Sequence, residues 1–170
     1  YGDNLVTVSP FVGYATLQVS DLGIGIGYEK FLNDFISAKI PLNIGLSTNM
    51  CQTGVGRKFY PTGHRRTVKY AVGPMLLFTR SSDNFEVSRF DSLGMFQFQE
   101  EIENPLTQIG FMLTNSVNIT IQKNIYIGAE MGLGVNYFNN FKEDVVNGFR
   151  RFDEEPGVLF MFNLSMGYRF

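Results

Sequence analysis

The chain has 170 residues, a formal net charge of -2 and one cysteine, Cys51. That length suits one domain over residues 1–170, the acidic balance argues against a nucleic-acid partner, and a lone cysteine excludes an intrachain disulfide and any multi-cysteine metal site. Mean hydropathy is -0.02, and no apolar run approaches the roughly 20 residues of a spanning helix; a membrane β-barrel hides in this range, because only alternate residues face lipid. With 17 Phe, 8 Tyr and no Trp, an aromatic girdle has to be built from Phe and Tyr. The chain starts at Tyr1, as a processed mature product would.

Side chains alternate faces along a strand, so residues two apart share a face. Residues 5–15 predict a first strand with Val6, Val8, Pro10, Val12 and Tyr14 outward and Thr7, Ser9, Gly13 and Ala15 inward. Residues 22–32 set Leu22, Ile24, Ile26 and Tyr28 against Gly23, Gly25, Gly27 and Glu29. Asn33-Asp34 reads as a two-residue hairpin turn. The next strand, 35–47, carries Ile36, Ala38, Ile40, Leu42 and Ile44 outward and Ser37, Lys39 and Asn43 inward. Residues 50–60 are harder to phase, because Arg57 and Lys58 take opposite faces. A fifth strand, 67–79, has Val68, Tyr70, Val72, Pro74, Leu76 and Phe78 outward and Lys69, Ala71 and Gly73 inward.

A polar stretch at 80–105 leads to strands at 106–121 and 125–138, joined by a short turn at 122–124. A second polar stretch, 139–156, leads to the last strand, 158–170. Pro10, Pro41 and Pro74 fall inside predicted strands, where each removes a ladder donor; bulges are the expected accommodation. The pattern predicts an all-β fold: an eight-stranded antiparallel up-and-down transmembrane β-barrel with two long extracellular hairpin loops. A strand of about 11 residues rises roughly 36 Å, or roughly 28 Å of height at a 40° tilt, enough for the apolar band.

Alternation alone does not say which face is inside, since a soluble lipocalin-like barrel has the same period with its apolar face inward. The glycines favour the membrane reading. Gly23, Gly25, Gly27, Gly54, Gly56, Gly128, Gly132 and Gly134 would leave bare, weakened stripes on a soluble surface, whereas small residues fit the narrow lumen of eight strands. Tyr28, Tyr70, Tyr168 and Phe170 would then form a belt at the turn end, and Tyr14, Phe78 and Tyr137 one at the loop end.

The last strand places Val158, Phe160, Phe162, Leu164, Met166, Tyr168 and Phe170 on one face and stops on the aromatic. This resembles the closing strand of bacterial outer-membrane β-barrels. The stretches 25–34 (Gly-Ile-Gly-Tyr-Glu-Lys-Phe-Leu-Asn-Asp), 58–64 (Lys-Phe-Tyr-Pro-Thr-Gly-His) and 70–74 (Tyr-Ala-Val-Gly-Pro) resemble small outer-membrane barrels common in Bacteroidota. More broadly, the chain is similar to OmpA/OmpX-type eight-stranded barrels. The resemblance implies a bacterial outer-membrane location with periplasmic turns and termini. It also implies contact with outer-membrane lipid and lipopolysaccharide, and barrel-assembly machinery reading Phe162, Leu164, Met166, Tyr168 and Phe170. The peptidoglycan-binding domain of OmpA-like proteins has no counterpart within the 170 residues.

The inward ionisable residues are Glu29, Lys39, Lys69, Glu130 and Arg169, with either Lys58 or Arg57. Such groups at membrane depth suggest an ion path or a mutually paired plug; the plug is favoured, because eight strands leave no aqueous channel. His64, the sole histidine, falls with Arg65 and Arg66 in a turn at the end opposite to where lipid A chemistry would take place. No cofactor or metal is expected. Gly23-Ile24-Gly25-Ile26-Gly27 is strand alternation, not a phosphate loop. Cys51 reads as a packed or lipid-facing small residue.

In the second long loop, Asn147-Gly148 predicts a hairpin with Val146 opposite Phe149, Asp144 opposite Arg151 and Lys142 opposite Asp153. In the first, 85–90 and 95–99 flank a turn at 91–94. Phe85, Phe90, Phe96, Phe98, Phe141, Phe149 and Phe152 form either a partner surface or the packing between the two hairpins. The expected function is non-enzymatic: a structural or accessory subunit of a larger outer-membrane complex, docked on another outer-membrane protein. A lipid A deacylase or acyltransferase and a small-solute channel are the alternatives.

Overall fold

The computed structural model describes residues 3–16, 20–47, 49–63, 65–90, 96–121, 124–139 and 157–170. In chain order the strands are β1 (Asn4–Thr16), β2 (Ser20–Phe31), β3 (Ile36–Gly45), β4 (Cys51–Phe59), β5 (Val68–Phe90), β6 (Phe96–Ile121), β7 (Ile125–Asn139) and β8 (Gly157–Arg169). Each pairs antiparallel with its neighbours in sequence, and β8 closes the barrel on β1. The pairing is staggered. Followed from Leu5 through Glu29, Lys39, Gly56, Met75, Met112, Gly134 and Leu159, it returns to β1 at Thr16 rather than at its start. That offset is the shear a closed, tilted barrel requires.

The period of two in the sequence becomes an inside and an outside. Along β2 burial alternates at every position. Val8, Ile24, Leu42, Val55, Leu76, Leu113, Leu133 and Leu164, one from each strand, are exposed on the outer wall. A largely apolar exterior around a closed barrel is stable in lipid, where closure leaves the barrel wall without an open edge.

Three local expectations need correction. In β1 the pairing with both β2 and β8 shifts by one residue around Pro10. A bulge at the proline adds one residue to β1, so the faces beyond it are the reverse of those an unbroken alternation predicts. Val12 and Tyr14, expected outward, are therefore buried in the lumen at 1% and 2% exposure. Tyr14 accordingly drops out of the loop-end aromatic belt.

The connection after β2 spans four residues, 32–35, rather than a two-residue turn. Leu32 N–H donates to the Ile36 carbonyl at 2.9 Å, and the Asn33 side-chain oxygen accepts from the N–H groups of Phe35 and Ile36, each at 2.9 Å. An Asx-type turn of this kind organises its own backbone and needs no Asn-Gly signal.

Pro41 and Pro74 are accommodated without bulges. The β3–β4 ladder skips from Lys39–Gly56 to Leu42–Thr53 in unchanged register, and the β4–β5 ladder skips from Gly56–Met75 to Phe59–Val72. Both prolines thus interrupt pairing with β4, where a missing N–H donor is tolerated as a local gap.

β5 and β6 run well beyond the rest of the barrel. The last described β4–β5 pair is Cys51–Arg80 and the last β6–β7 pair is Gln108–Asn139. Pairing between β5 and β6 continues from Ser81–Leu106 to Phe90–Phe96. The first polar stretch is thus a two-stranded ribbon up to its tip at 91–95, which lies outside the described residues.

Candidate functional site

Alternation delivers buried charge from several strands into one lumen. Glu29, Lys39, Lys58 and Glu130 are all buried. Lys39 Nζ donates to both carboxylate oxygens of Glu130, at 2.9 and 3.0 Å. Lys58 Nζ pairs with the same carboxylate, stands 4.0 Å from Glu29 Oε2 and donates to Ser116 Oγ at 3.4 Å. Glu29 also accepts from the Tyr60 hydroxyl at 2.5 Å and from Ser37 Oγ. The charges alternate Lys39, Glu130, Lys58, Glu29, and the four sum to zero. A buried carboxylate between two ammonium groups is compensated as a set, and removing one member strands the others.

Lys39 stands on β3 and Glu130 on β7, half-way round the ring of eight strands. Their contact therefore crosses the lumen from wall to wall. Toward the loop end Tyr14, Met50, Met75, Leu77, Met112, Leu159 and Met161 form one buried apolar cluster, beside a polar set in which Asn43 donates to Gln52 and Gln52 to Thr79. Toward the turn end a second cluster holds Leu5, Phe31, Tyr60, Ala71 and Tyr126. Tyr14 donates across to Gln108 Oε1 at 3.1 Å, and Tyr126 donates to Asn118 Oδ1. The small residues make room for these side chains. A Cβ at Gly132 would stand 3.1 Å from Met112 Cε.

The five lumen residues singled out in the sequence all face inward and are buried. Glu29, Lys39 and Glu130 are brought together, and Lys58 joins them. Lys69 instead donates to Thr120 Oγ1 at 2.7 Å, and Arg169 lies over the Phe31 ring with Cζ 4.4 Å from its centroid. Lys58 faces inward and Arg57 outward; the inward Gln52, Gly56 and Tyr60 at the same parity as Lys58 carry that signal. Tyr126 is detectable in the same way, from its parity with Gly128 and Glu130.

On the outer wall three exposed tyrosines have their hydroxyls tied to asparagines. Tyr28 donates to Asn4 Oδ1 at 2.7 Å, Tyr70 donates to Asn115 Oδ1 at 2.6 Å, and Tyr168 accepts from Asn124 Nδ2 at 2.9 Å. Cys51 is exposed. Of the closing-strand residues, Leu164, Met166, Tyr168 and Phe170 are exposed and Phe162 is half-buried.

The register places Phe85 opposite Ile102, Phe98 opposite Arg89, and Phe90 opposite Phe96. Phe141, Phe149, Phe152, the Asn147-Gly148 turn and His64 lie outside the described residues. Among the described residues no group of three His, Cys, Asp or Glu side chains could hold a metal ion.

No family model and no curated protein matches the chain. Solved structures do. The chain is similar to the N-terminal β-barrel domain of Pseudomonas aeruginosa OprF, at 14% identity over 100% of both chains with a TM-score of 0.54. It is similar to Neisserial surface protein A, at 12% identity over 98% of this chain and 96% of that one, TM-score 0.56. It is also similar to a major outer membrane protein from Thermus thermophilus, at 11% identity over 98% and 99%, TM-score 0.58. The chain has the fold of the small eight-stranded outer-membrane β-barrels.

Proposed function

We propose that this barrel is a non-enzymatic structural or accessory component of the bacterial outer membrane, docked on another outer-membrane protein. Its turns and termini face the periplasm and its long loops face outward, toward lipopolysaccharide. The observation that carries this reading is the β5–β6 ribbon. Pairing continues from Ser81–Leu106 to Phe90–Phe96, past the last described pairs with β4 and β7. Both ribbon edges lack a strand neighbour there among the described residues. A lone two-stranded ribbon is marginal in water, and its unpaired N–H and C=O groups are a template for another chain. The filled lumen argues in the same direction, because transport would have to dismantle a neutral, mutually paired set of charges.

The test is the native mass of the protein extracted from its own membrane in a mild detergent, with and without residues 83–103. A complex well above the 19.2 kDa chain that collapses to the lone barrel on ribbon deletion supports the reading. A lone barrel in both cases overturns it. Conductance in planar bilayers would instead favour the channel, and loss of a lipid A modification on deletion of the gene the enzyme.

A further inference from the structure

The outer wall carries few charges. Among the strand residues whose side chains are described, they are Lys30 and Arg57 near the turn end and Arg80 at the loop end, all exposed. Lys30 pairs with Ala38, and Ala38 pairs with Arg57. The two cations thus stand in one row on β2 and β4, flanking a small residue on β3. Two strand spacings separate their backbones, about 10 Å. Neither has a hydrogen-bond or ion-pair partner among the described residues. The nearby Arg65 differs in this respect, as it is held by Asp34 at 3.0 Å.

An unpaired cation on a lipid-facing wall is costly in the hydrocarbon and is relieved where it can snorkel to the interface, where water and anionic headgroups meet it. The row lies close to the strand ends at Phe31, Ile36 and Phe59, beside Tyr28, whose amphipathic ring suits the headgroup level. Guanidinium and ammonium groups flanking a shallow floor suit a phosphate diester, which Arg engages with paired N–H donors and Lys as a point charge. From Ala38, β3 continues outward through Ile40, Leu42 and Ile44, all exposed, which offers an apolar track for an acyl chain.

We propose that Lys30 and Arg57 form a cradle over Ala38 that holds the phosphate of an anionic glycerophospholipid in the leaflet at the turn end. The site depends on the strands spanning a bilayer. It does not depend on a partner protein, so failure of the accessory-subunit reading leaves it standing.

Native mass spectrometry of the purified full chain, titrated with phosphatidylglycerol and phosphatidylcholine in turn, tests it. The unsubstituted protein and Arg80→Gln should retain phosphatidylglycerol over phosphatidylcholine. Lys30→Gln/Arg57→Gln should bind phosphatidylglycerol roughly thirtyfold more weakly, as expected for two interfacial cations. Ala38→Phe, which keeps both charges and fills the floor, should also weaken retention, and it carries the test if the double variant does not insert. The cradle is overturned by equal retention of the two lipids, by a double variant or Ala38→Phe that binds like the parent, or by an equal loss in Arg80→Gln. Displacement of the lipid by millimolar inorganic phosphate would make this a free-anion site and overturn it as well.

Discussion

Lys39 and Glu130 meet across the full width of the lumen, from β3 to β7, with two contacts at 2.9 and 3.0 Å. Because Lys58 shares the same carboxylate, Glu130 is the group that two buried ammonium ions depend on. Glu130→Ala should therefore cost about 3–5 kcal/mol, the range for stranding a buried charge. Lys39→Met/Glu130→Leu should cost less than the sum of its single changes, since the double change removes both halves of a pair. Urea unfolding of the inserted barrel in phospholipid vesicles reads both. Additive single costs would show that the contact across the lumen does not hold the charges together.

Asn115 presents a carboxamide on the lipid face, answered by the Tyr70 hydroxyl at 2.6 Å. A polar group that loses its only satisfying partner in an apolar setting costs about 1–3 kcal/mol, whereas replacing both partners with apolar groups is close to neutral. Tyr70→Phe alone should thus destabilise the barrel more than Tyr70→Phe/Asn115→Leu. The same vesicle unfolding experiment checks this. A double variant less stable than the single would mean that the tyrosine acts through its hydroxyl at the interface and not through the asparagine.

Gly73 lies beside the gap in the β4–β5 ladder at Pro74. A Cβ there would stand 2.7 Å from the Arg57 carbonyl carbon and 3.0 Å from Lys58 Cα, and backbone cannot step aside as a side-chain end can. Gly73→Ala should cost about 1–3 kcal/mol, as overpacking does. Gly157→Ala meets nothing within 4 Å and should leave the unfolding midpoint unchanged within error. Equal midpoints for the two variants would refute the close approach of β4 to β5.

Parity in the sequence carried most of this fold. It placed Glu29, Lys39 and Glu130 inside, and Leu22, Ile24, Ile26 and Tyr28 outside, because a strand with one face in lipid cannot slip by a single residue without exchanging its faces. Parity says which side of the wall a residue takes, but not its height or its angle around the ring. Parity therefore sets Lys69 and Arg169 in one lumen with Glu29, but not the contacts of each: Lys69 donates to Thr120 and Arg169 lies over Phe31. Lys58 could not be separated from Arg57 by charge; its parity with the inward Gln52, Gly56 and Tyr60 is what carries its facing. The β1 bulge was hidden for another reason: Val12 and Tyr14 are apolar enough to suit either face.

That bulge gives a prediction on residue count rather than residue type. β1 holds one residue more than β2 and β8 need between Ser9 and Val12. Deleting Pro10 therefore removes the surplus and leaves a regular strand, in which Ser9 and Val12 still share the inner face and Tyr14 still reaches Gln108. Ile26 differs, because the pairing of β2 with β3 runs unbroken from Gly23 to Phe31. Deleting it leaves β2 one residue short and sets its two halves on conflicting faces, so the yield of folded barrel should fall steeply. Tyr14→Cys in a Cys51→Ser background reports the phase of β1. A maleimide dissolved in the bilayer should leave that thiol unmodified with Pro10 present or deleted, while Val8→Cys, exposed on the outer wall, labels in both frames. Labelling of the thiol at position 14 only after the deletion would show that β1 has no residue to spare, and would place the source of the inward Tyr14 somewhere other than a bulge at Pro10.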